Sequence, residues 1–343
     1  MNNKEQQPFE INELSEGTKI SLKTRIISAL VAIVIFVPLF ILGDWFFVAA
    51  VLFIGIIAIF EIIKCAKPSH AGWLTTASAV LMLLITFWPI LRMLLTTSAL
   101  SSEWKLWTSF PTLYLSIIVL FICLFMSFLF VVLDKNTTVS EACFIFTASL
   151  LVSFGLQCAL FLRNYPIMAH YNYVIGQPLP DFPYFNVYEN FRSSLLIVYV
   201  TIMTFATDIG AYFVGVFFGR HKINERISPK KTWEGFLGGI IVSFILSSAL
   251  GLILAACNTP ILEGVLDIQH WYWILGISLA TPLFATLGDF VFSSFKRTYN
   301  IKDFGNIMPG HGGVLDRIDS LIFAFIAAAI FICVVSGQES PLL

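Results

Sequence analysis

The segment from Gly288 to Asp319 concentrates side chains that could bind phosphates and a metal ion. Four basic residues, four aspartates and one histidine occupy its 32 positions, whereas charged residues make up only 12% of the chain. Gly312 and Gly313 would let backbone N–H groups approach a ligand closely. A purely structural loop does not need this charge density, so we predict a functional site here. Its candidate side chains are Asp289, Lys296, Arg297, Lys302, Asp303, His311, Asp316, Arg317 and Asp319.

Asp289 and Asp316 stand at opposite ends of this segment. A chain path that turns back on itself would bring both carboxylates to one Mg²⁺. Magnesium is usually held by hard oxygen ligands together with the phosphates of a substrate. We therefore predict that Asp289 and Asp316 form a magnesium site.

A second basic segment, from Arg220 to Gly235, suits a polyphosphate. The hydroxyls of Ser228 and Thr232 flank Lys230 and Lys231, and an apolar run follows. Lysines supply positive charge, hydroxyls supply donors, and the N-terminus of a following helix supplies unpaired N–H groups. The P-loop pattern GxxxxGK[ST] is absent. Membrane topology alone would also explain basic residues at this place, so both interpretations stay open.

Asp208 lies in the middle of an apolar run, where an unpaired carboxylate costs several kcal/mol. One interpretation is a packing hydrogen bond between helices, with Gly210, Gly215 and Gly219 forming a close interface of small residues. The other is a functional role, which we favour because ionisable residues inside membrane helices usually mark functional sites.

The composition indicates which elements must position these residues. Hydrophobic residues make up 58% of the 343 residues, and the mean hydropathy is +0.86. A soluble domain has about 45–50% apolar and about 25% charged residues. Backbone groups in hydrocarbon must be paired within their own segment, which favours helices. We therefore predict an all-α integral membrane protein.

A bilayer core about 30 Å thick needs roughly 17–25 mostly apolar residues per helix. This window selects nine candidate spans, at Ile26–Leu42, Trp45–Ile63, Trp73–Ile90, Leu113–Leu133, Ala142–Leu162, Leu195–Phe218, Phe236–Ala256, Tyr272–Phe295 and Ile318–Val335. The predicted regions are a polar cytoplasmic tail (1–25), a five-helix scaffold (26–162), an aromatic-rich outside loop (163–194) and a catalytic membrane region (195–343).

The distribution of Lys and Arg orients these spans. With a cytoplasmic N-terminus, 16 of the 20 Lys and Arg residues fall on the inside, as the positive-inside rule expects. The C-terminus then lies outside, and both basic segments face the cytoplasm. A net charge of −1 gives no reason to expect a nucleic-acid partner. The six cysteines form no CxxC pair, so we predict neither disulfides nor a cysteine metal site.

These motifs resemble the signature of the bacterial phosphatidate cytidylyltransferase (CDP-diacylglycerol synthase) family. The Asp-x-x-Ala-Tyr motif of that family matches Asp208 to Tyr212, and its Ser-Pro-x-Lys-Thr-x-x-Gly motif matches Ser228 to Gly235. The long C-terminal signature matches at Ser293, Lys296-Arg297, Lys302-Asp303, Pro309, His311-Gly312-Gly313, Asp316-Arg317 and Asp319. The matched motifs lie in the C-terminal part of the chain.

The resemblance implies transfer of CMP from CTP to phosphatidate in phospholipid biosynthesis, with Mg²⁺ and room for a monovalent cation such as K⁺. It also implies a homodimer among membrane lipids of the bacterial inner membrane, with a site open to the cytoplasm and the bilayer. The implied catalytic residues are Asp289, Asp316, Lys296, Arg297 and Asp319. The implied substrate-binding residues are Asp208, Ser228, Lys230, Lys231, Thr232, Lys302, Asp303, His311, Gly312, Gly313 and Arg317.

Two other functions remain alternatives at this point. A CTP-dependent lipid kinase would move the γ-phosphate and release CDP, and the identity of the by-product would distinguish it. A secondary transporter would use Asp208 and Asp289 to carry protons or sodium. Transporters of that class often consist of two similar halves, and the two halves of this sequence are not alike.

Overall fold

The computed structural model describes residues 34, 38, 44–66, 112–133, 138–169, 187–307 and 312–336. Seven helices and one short hairpin lie within these ranges. They are α1 (Asp44–Ala66), α2 (Thr112–Leu133), α3 (Val139–Ala169), α4 (Val187–Phe218), β1 (Lys222–Asn224), β2 (Ser228–Thr232), α5 (Trp233–Ala256), α6 (Trp271–Thr298) and α7 (Leu315–Ser336).

Six of the described helices, α1 and α3 to α7, are long and apolar enough to cross a membrane. Helix α2 contains a shorter apolar stretch, Leu120–Leu133. The prediction of a helical multi-pass membrane protein is therefore confirmed. The candidate spans at 26–42 and 73–90 lie outside the described residues, apart from positions 34 and 38, so the count of nine stays a prediction.

The helices α4 and α5 approach each other closely through glycines. A Cβ atom on Gly239 would lie 2.7 Å from the carbonyl oxygen of Thr207, and one on Gly210 would lie 2.9 Å from Cβ of Val242. The interface of small residues predicted around Gly210 is therefore present. Near the end of α4, Gly219 leaves room for Thr232, because a Cβ there would lie 2.7 Å from its hydroxyl oxygen.

The remaining helices share one core. Tyr199 of α4 donates a hydrogen bond to the carbonyl oxygen of Ser247 in α5 (2.9 Å) and lies 2.8 Å from the hydroxyl of Ser278 in α6. Helix α7 packs against α6 and α3, and α3 packs against α1. The fully buried Phe292 of α6 is part of this core. The core thus joins α1 and α3 to the three helices that carry the predicted site.

The cytoplasmic loop predicted from Arg220 to Gly235 contains an antiparallel hairpin that the sequence analysis did not predict. Strand β1 pairs with β2 through Lys222 opposite Thr232 and Asn224 opposite Ser228. The side chain of Asn224 accepts hydrogen bonds from the backbone N–H groups of Arg226 (3.1 Å) and Ile227 (3.3 Å), which closes the turn. The hairpin places the predicted phosphate-binding residues directly before α5.

Parts of the predicted outside loop at 163–194 are helical in the structure, since α3 continues to Ala169 and α4 begins at Val187. The polar residues near these helix ends do not stop the helices. Arg163 is fully buried, and its carbonyl oxygen accepts a hydrogen bond from the hydroxyl of Ser193 in α4. This hydrogen bond joins α3 and α4 within the segment that the sequence predicted to be a loop.

Candidate active site

Lys231, at the end of β2, forms an ion pair with Asp289 of α6. Its ammonium group also lies 4.2 Å from the centre of the Phe290 ring, within the range of a cation–π contact. The hydroxyl of Ser293, one helical turn after Asp289, donates a hydrogen bond to the other carboxylate oxygen (3.2 Å). The two basic segments singled out in the sequence therefore meet at Asp289.

Lys296 holds two aspartates of α7. Its ammonium nitrogen lies 2.9 Å from Oδ1 of Asp316 and 3.6 Å from Oδ2 of Asp319. The spacing of three residues puts both aspartates on one face of α7. The side chain of Lys296 is 10% exposed and that of Asp316 is 2% exposed. Removing one member of such a pair would leave an uncompensated buried charge.

The second carboxylate oxygen of Asp316 holds the chain that precedes α7. It accepts hydrogen bonds from the backbone N–H groups of Phe304 (2.8 Å) and Gly313 (3.0 Å). Gly312 has a φ of +89°, and a Cβ there would lie 3.1 Å from the same oxygen. Only glycine adopts this conformation readily, so Gly312 allows the chain to pass close to the carboxylate.

Asp208 lies on an exposed face of α4 and interacts electrostatically with Asp289, Lys231 and Arg317. Arg317 is also exposed, one position after the buried Asp316. The site therefore has a buried side, formed by Lys296 and its two aspartates, and an open side that includes Asp208 and Arg317. This arrangement leaves a carboxyl group and a guanidinium group accessible to a ligand.

Two predicted site residues are engaged in contacts that stabilise the fold. The hydroxyl of Thr232 caps α5 by accepting a hydrogen bond from the N–H of Gly235 (3.2 Å). The guanidinium group of Arg297 donates hydrogen bonds to the carbonyl oxygens of Ile227 and Ile301, both at 3.1 Å. Arg297 thus ties the hairpin to the end of α6, and its predicted role with substrate stays a prediction.

The other predicted residues surround this centre at various depths. Lys230, Lys302 and Asp303 are exposed, and Ser228 is half-buried. A Cβ on Gly312 would lie 3.3 Å from Cβ of Asp303, which places Asp303 beside the Asp316 carboxylate. His311 lies outside the described residues, so its role in substrate binding stays a prediction.

Glu61 of α1 is a residue of the site that the sequence analysis missed. It is 3% exposed, and its carboxylate accepts hydrogen bonds from the backbone N–H groups of Val314 (2.9 Å) and Leu315 (2.8 Å) at the start of α7. The region 26–162 was predicted to be scaffold. The signal in the sequence was a single carboxylate inside the apolar run Trp45–Ile63, a feature that usually has a function in a membrane helix.

Glu234 was noted only as part of the motif that contains Lys231, and it has a structural role at the start of α5. Its carboxylate accepts hydrogen bonds from the backbone N–H groups of Arg220 (3.0 Å) and His221 (3.2 Å), and it lies 2.6 Å from Nδ1 of His221. These contacts hold the entry of the hairpin against the helix that follows it. The position of Lys231 therefore depends on both ends of the hairpin.

The donor chemistry of Asp289 and Asp316 fits a magnesium ion. A carboxylate has about four lone-pair positions, of which the contacts described above use two in Asp289 and three in Asp316. Magnesium is commonly bound by one or two carboxylates with waters and substrate phosphates. Across the described ranges, no group of three or more His, Cys, Asp or Glu side chains could hold a metal ion. A site of two carboxylates stays a prediction.

Known proteins that are similar to this chain in sequence agree with the family resemblance of its motifs. A family model described as the Cytidylyltransferase family matches residues 23–335. A phosphatidate cytidylyltransferase of Bacillus subtilis (strain 168) is 30% identical over 305 residues, which are 89% of this chain and 95% of the relative.

Relatives with the same name match the chain over a shorter length. The one from Staphylococcus aureus (strain COL) is 43% identical over 128 residues, which are 37% of this chain and 45% of the relative. The one from Haemophilus influenzae is 39% identical over 137 residues, which are 40% of this chain and 45% of the relative. Because the family model covers nearly the whole sequence, this chain belongs to the cytidylyltransferase family.

Proposed function

We propose that this protein is a phosphatidate cytidylyltransferase, a nucleotidyltransferase of phospholipid biosynthesis. It transfers CMP from CTP to phosphatidate and gives CDP-diacylglycerol and pyrophosphate. The observation that carries the proposal is the 30% identity with the Bacillus subtilis phosphatidate cytidylyltransferase, which extends over 89% of this chain. The paired lysines and aspartates among membrane helices support it, because both substrates carry phosphates and one of them is a lipid.

The bond changes of this reaction need charge stabilisation more than proton transfer. A phosphate oxygen of phosphatidate forms a bond to the α-phosphorus of CTP, and the bond from that phosphorus to its bridging oxygen breaks. The electron pair of the broken bond leaves with pyrophosphate. A phosphate monoester has a second pKa of about 6, so near neutral pH the attacking group is already largely anionic. A dedicated general base is therefore unnecessary.

The two lysines would serve different phosphates. Lys231 adjoins the N-terminus of α5, where unpaired backbone N–H groups also favour an anion, so we assign it to the phosphates of CTP together with Ser228. Lys296 is assigned to the phosphatidate headgroup or the leaving pyrophosphate, with Arg317 on the open side of the site. In each case substrate oxygens compete with aspartates for the ammonium group, and the aspartates keep the lysines in place between turnovers.

We propose that Asp289 and Asp316 hold Mg²⁺, with K⁺ as a candidate second ion. When bound, the magnesium ion offsets the charge that develops on the pyrophosphate. Asp208 would orient the basic side chains of the site, such as Arg317, from the open side. Asp319 would keep Lys296 directed towards Asp316. The remaining candidates, Lys230, Lys302, Asp303, His311, Gly312, Gly313, Thr232 and Arg297, would line the path of the substrate phosphates.

We propose nine spans with a cytoplasmic N-terminus, an outside C-terminus and a site that faces the cytoplasm from the inner membrane. The positive-inside distribution of Lys and Arg supports this orientation. The contact between Arg297 and Ile227 supports a single polar face, because it joins the hairpin to the end of α6. The proposed homodimer rests on the family resemblance.

The test is an assay of purified protein in mixed micelles with phosphatidate, Mg²⁺ and CTP labelled on the α-phosphate. We expect label in the lipid phase, an equal amount of pyrophosphate, and loss of both with EDTA. Stoichiometric CDP without lipid label would replace the proposal with the lipid kinase. If folded protein gave neither product, substrate-dependent ion flux in proteoliposomes would be measured, and such flux would establish the transporter.

A further inference from the structure

Glu61 binds the start of the helix that carries two of the proposed catalytic aspartates. Three consecutive backbone N–H groups precede Asp316. That of Gly313 donates to Asp316 itself, and those of Val314 and Leu315 donate to Glu61. N–H groups at the start of a helix have no partner within that helix. Here the carboxylates of Glu61 in α1 and Asp316 in α7 accept their hydrogen bonds instead.

The surroundings of Glu61 leave its carboxylate little freedom. A Cβ on Gly305 would lie 2.3 Å from one carboxylate oxygen of Glu61, and a Cβ on Gly313 would lie 2.5 Å from the same oxygen. Both glycines therefore let the backbone touch the carboxylate. Because Glu61 is 3% exposed, water does not compete for its hydrogen bonds.

The direction of the Asp316 carboxylate depends on which of these N–H groups bind to Glu61. While Glu61 holds the N–H groups of Val314 and Leu315, Asp316 keeps one oxygen for Lys296. Without Glu61, two buried N–H groups at the positive end of α7 would need a new acceptor. Asp316 is the carboxylate beside them, and it would turn away from Lys296 to supply that acceptor.

We infer that Glu61 is a positioning residue for the reaction: it occupies the N-terminus of α7 so that Asp316 remains directed into the site. The inference rests on the proposed function. It gives the N-terminal membrane region a part in catalysis, because α1 supplies the contact. Partners that orient a metal-binding carboxylate typically matter about 10- to 100-fold in metal affinity or activity.

The test compares Glu61→Gln with wild type by turnover and by amide hydrogen exchange. A glutamine can accept one of the two hydrogen bonds but presents an N–H₂ group to the other donor. We expect faster exchange at Val314 and Leu315, a kcat about 10- to 100-fold lower, and a similar rise in the Mg²⁺ concentration for half-maximal rate. The KM for CTP should stay within about threefold, a ratio that amounts to less than 1 kcal/mol in binding.

The matched control is Glu141→Gln. Glu141 accepts a hydrogen bond from the backbone N–H of Thr138 (3.0 Å) at the start of α3, so it also caps a helix with its carboxylate. This variant should keep the wild-type kcat and Mg²⁺ dependence. If Glu61→Gln also kept them, or left exchange at Val314 and Leu315 unchanged, the inference would be wrong. A wild-type protein that forms no CDP-diacylglycerol would instead refute the proposed function.

A second variant tests the positioning role of Glu61 if Glu61→Gln does not fold. Gly305→Ala keeps the charge but places a methyl group against the Glu61 carboxylate, so it should lower kcat and raise the Mg²⁺ requirement in the same direction. Wild-type protein supplies a measurement that needs no variant. The amides of Val314 and Leu315 should exchange slowly although they lie at the start of a helix, where amides usually exchange fast. Rapid exchange there would overturn the inference.

Discussion

At the scale of single residues, the site consists of lysines paired with aspartates. Lys231 binds Asp289, and Lys296 binds Asp316 and Asp319. The sequence predicted that these residues belong to one site, because their density in a chain poor in charge required an explanation. It did not predict which lysine binds which aspartate, because that choice depends on how β2, α6 and α7 pack.

The first prediction concerns the two proposed metal ligands. Asp289→Asn and Asp316→Asn each remove a negative charge from the proposed Mg²⁺ site, so each should lower turnover more than tenfold in the labelled-CTP assay. Asp267→Asn, in the loop between α5 and α6, is the control and should keep full activity. Retention of more than a tenth of wild-type activity by either site variant would contradict the metal assignment.

The second prediction compares the two lysines by stability. Lys296→Ala leaves Asp316 without a counter-charge at 2% exposure, so it should destabilise the protein by about 3–5 kcal/mol. Lys231→Ala affects a pair in which both side chains are 28% exposed, and water can solvate the remaining aspartate there. Thermal unfolding in detergent should therefore show a clearly larger decrease in stability for Lys296→Ala. Equal decreases would contradict the expectation that the more buried pair is costlier to break.

At the scale of elements, the helices after Leu195 were predicted closely and the polar connections were not. The predicted span Phe236–Ala256 is part of α5, and Ile318–Val335 is part of α7. Long apolar runs specify membrane helices because no other structure satisfies their backbone. The β1–β2 hairpin was missed because it is short, polar and fixed by contacts with Glu234 and Arg297 that no local pattern encodes.

The third prediction tests the glycine contact between α4 and α5. Gly239→Ala places a methyl group 2.7 Å from a backbone carbonyl oxygen of α4, so the two helices must separate. We expect a loss of about 1–3 kcal/mol in stability. We also expect lower activity, because a shift of α5 would move Lys231, which directly precedes this helix, away from Asp289 of α6. Gly215→Ala is the control, since its nearest neighbour would be 3.4 Å away, and it should be tolerated.

At the scale of the whole molecule, the structure has two different ends. The hairpin and the α6–α7 connection meet at one end through Arg297. At the other end, Arg192 of α4 forms an ion pair with Glu263, in the loop between α5 and α6. The distribution of Lys and Arg predicted that the first of these ends faces the cytoplasm, and this orientation stays a prediction. The sequence did not predict that α1 reaches the site, because Glu61 and Val314 are 253 positions apart.

The fourth prediction tests the proposed orientation. In a cysteine-free background, Gln269→Cys lies in the exposed α5–α6 loop and Lys222→Cys lies in the exposed hairpin. An impermeant maleimide added to intact spheroplasts should label Gln269→Cys, and Lys222→Cys should react only after the membrane is opened. The reverse pattern would invert the proposed topology, and labelling of both in intact cells would show that the membrane was leaky.

The pairing of lysines with aspartates also bears on how the protein is made. A charged side chain placed alone at the centre of a membrane helix costs about 2.5–3.5 kcal/mol on insertion scales. Lys231 of the hairpin neutralises Asp289 of α6, and Lys296 of α6 offsets one of the two negative charges of Asp316 and Asp319 in α7. Because the partners of each pair come from different elements, the charges compensate each other only once β2, α6 and α7 have packed together. The carboxylates of α6 and α7 therefore find their lysines after the helices have inserted, and not before.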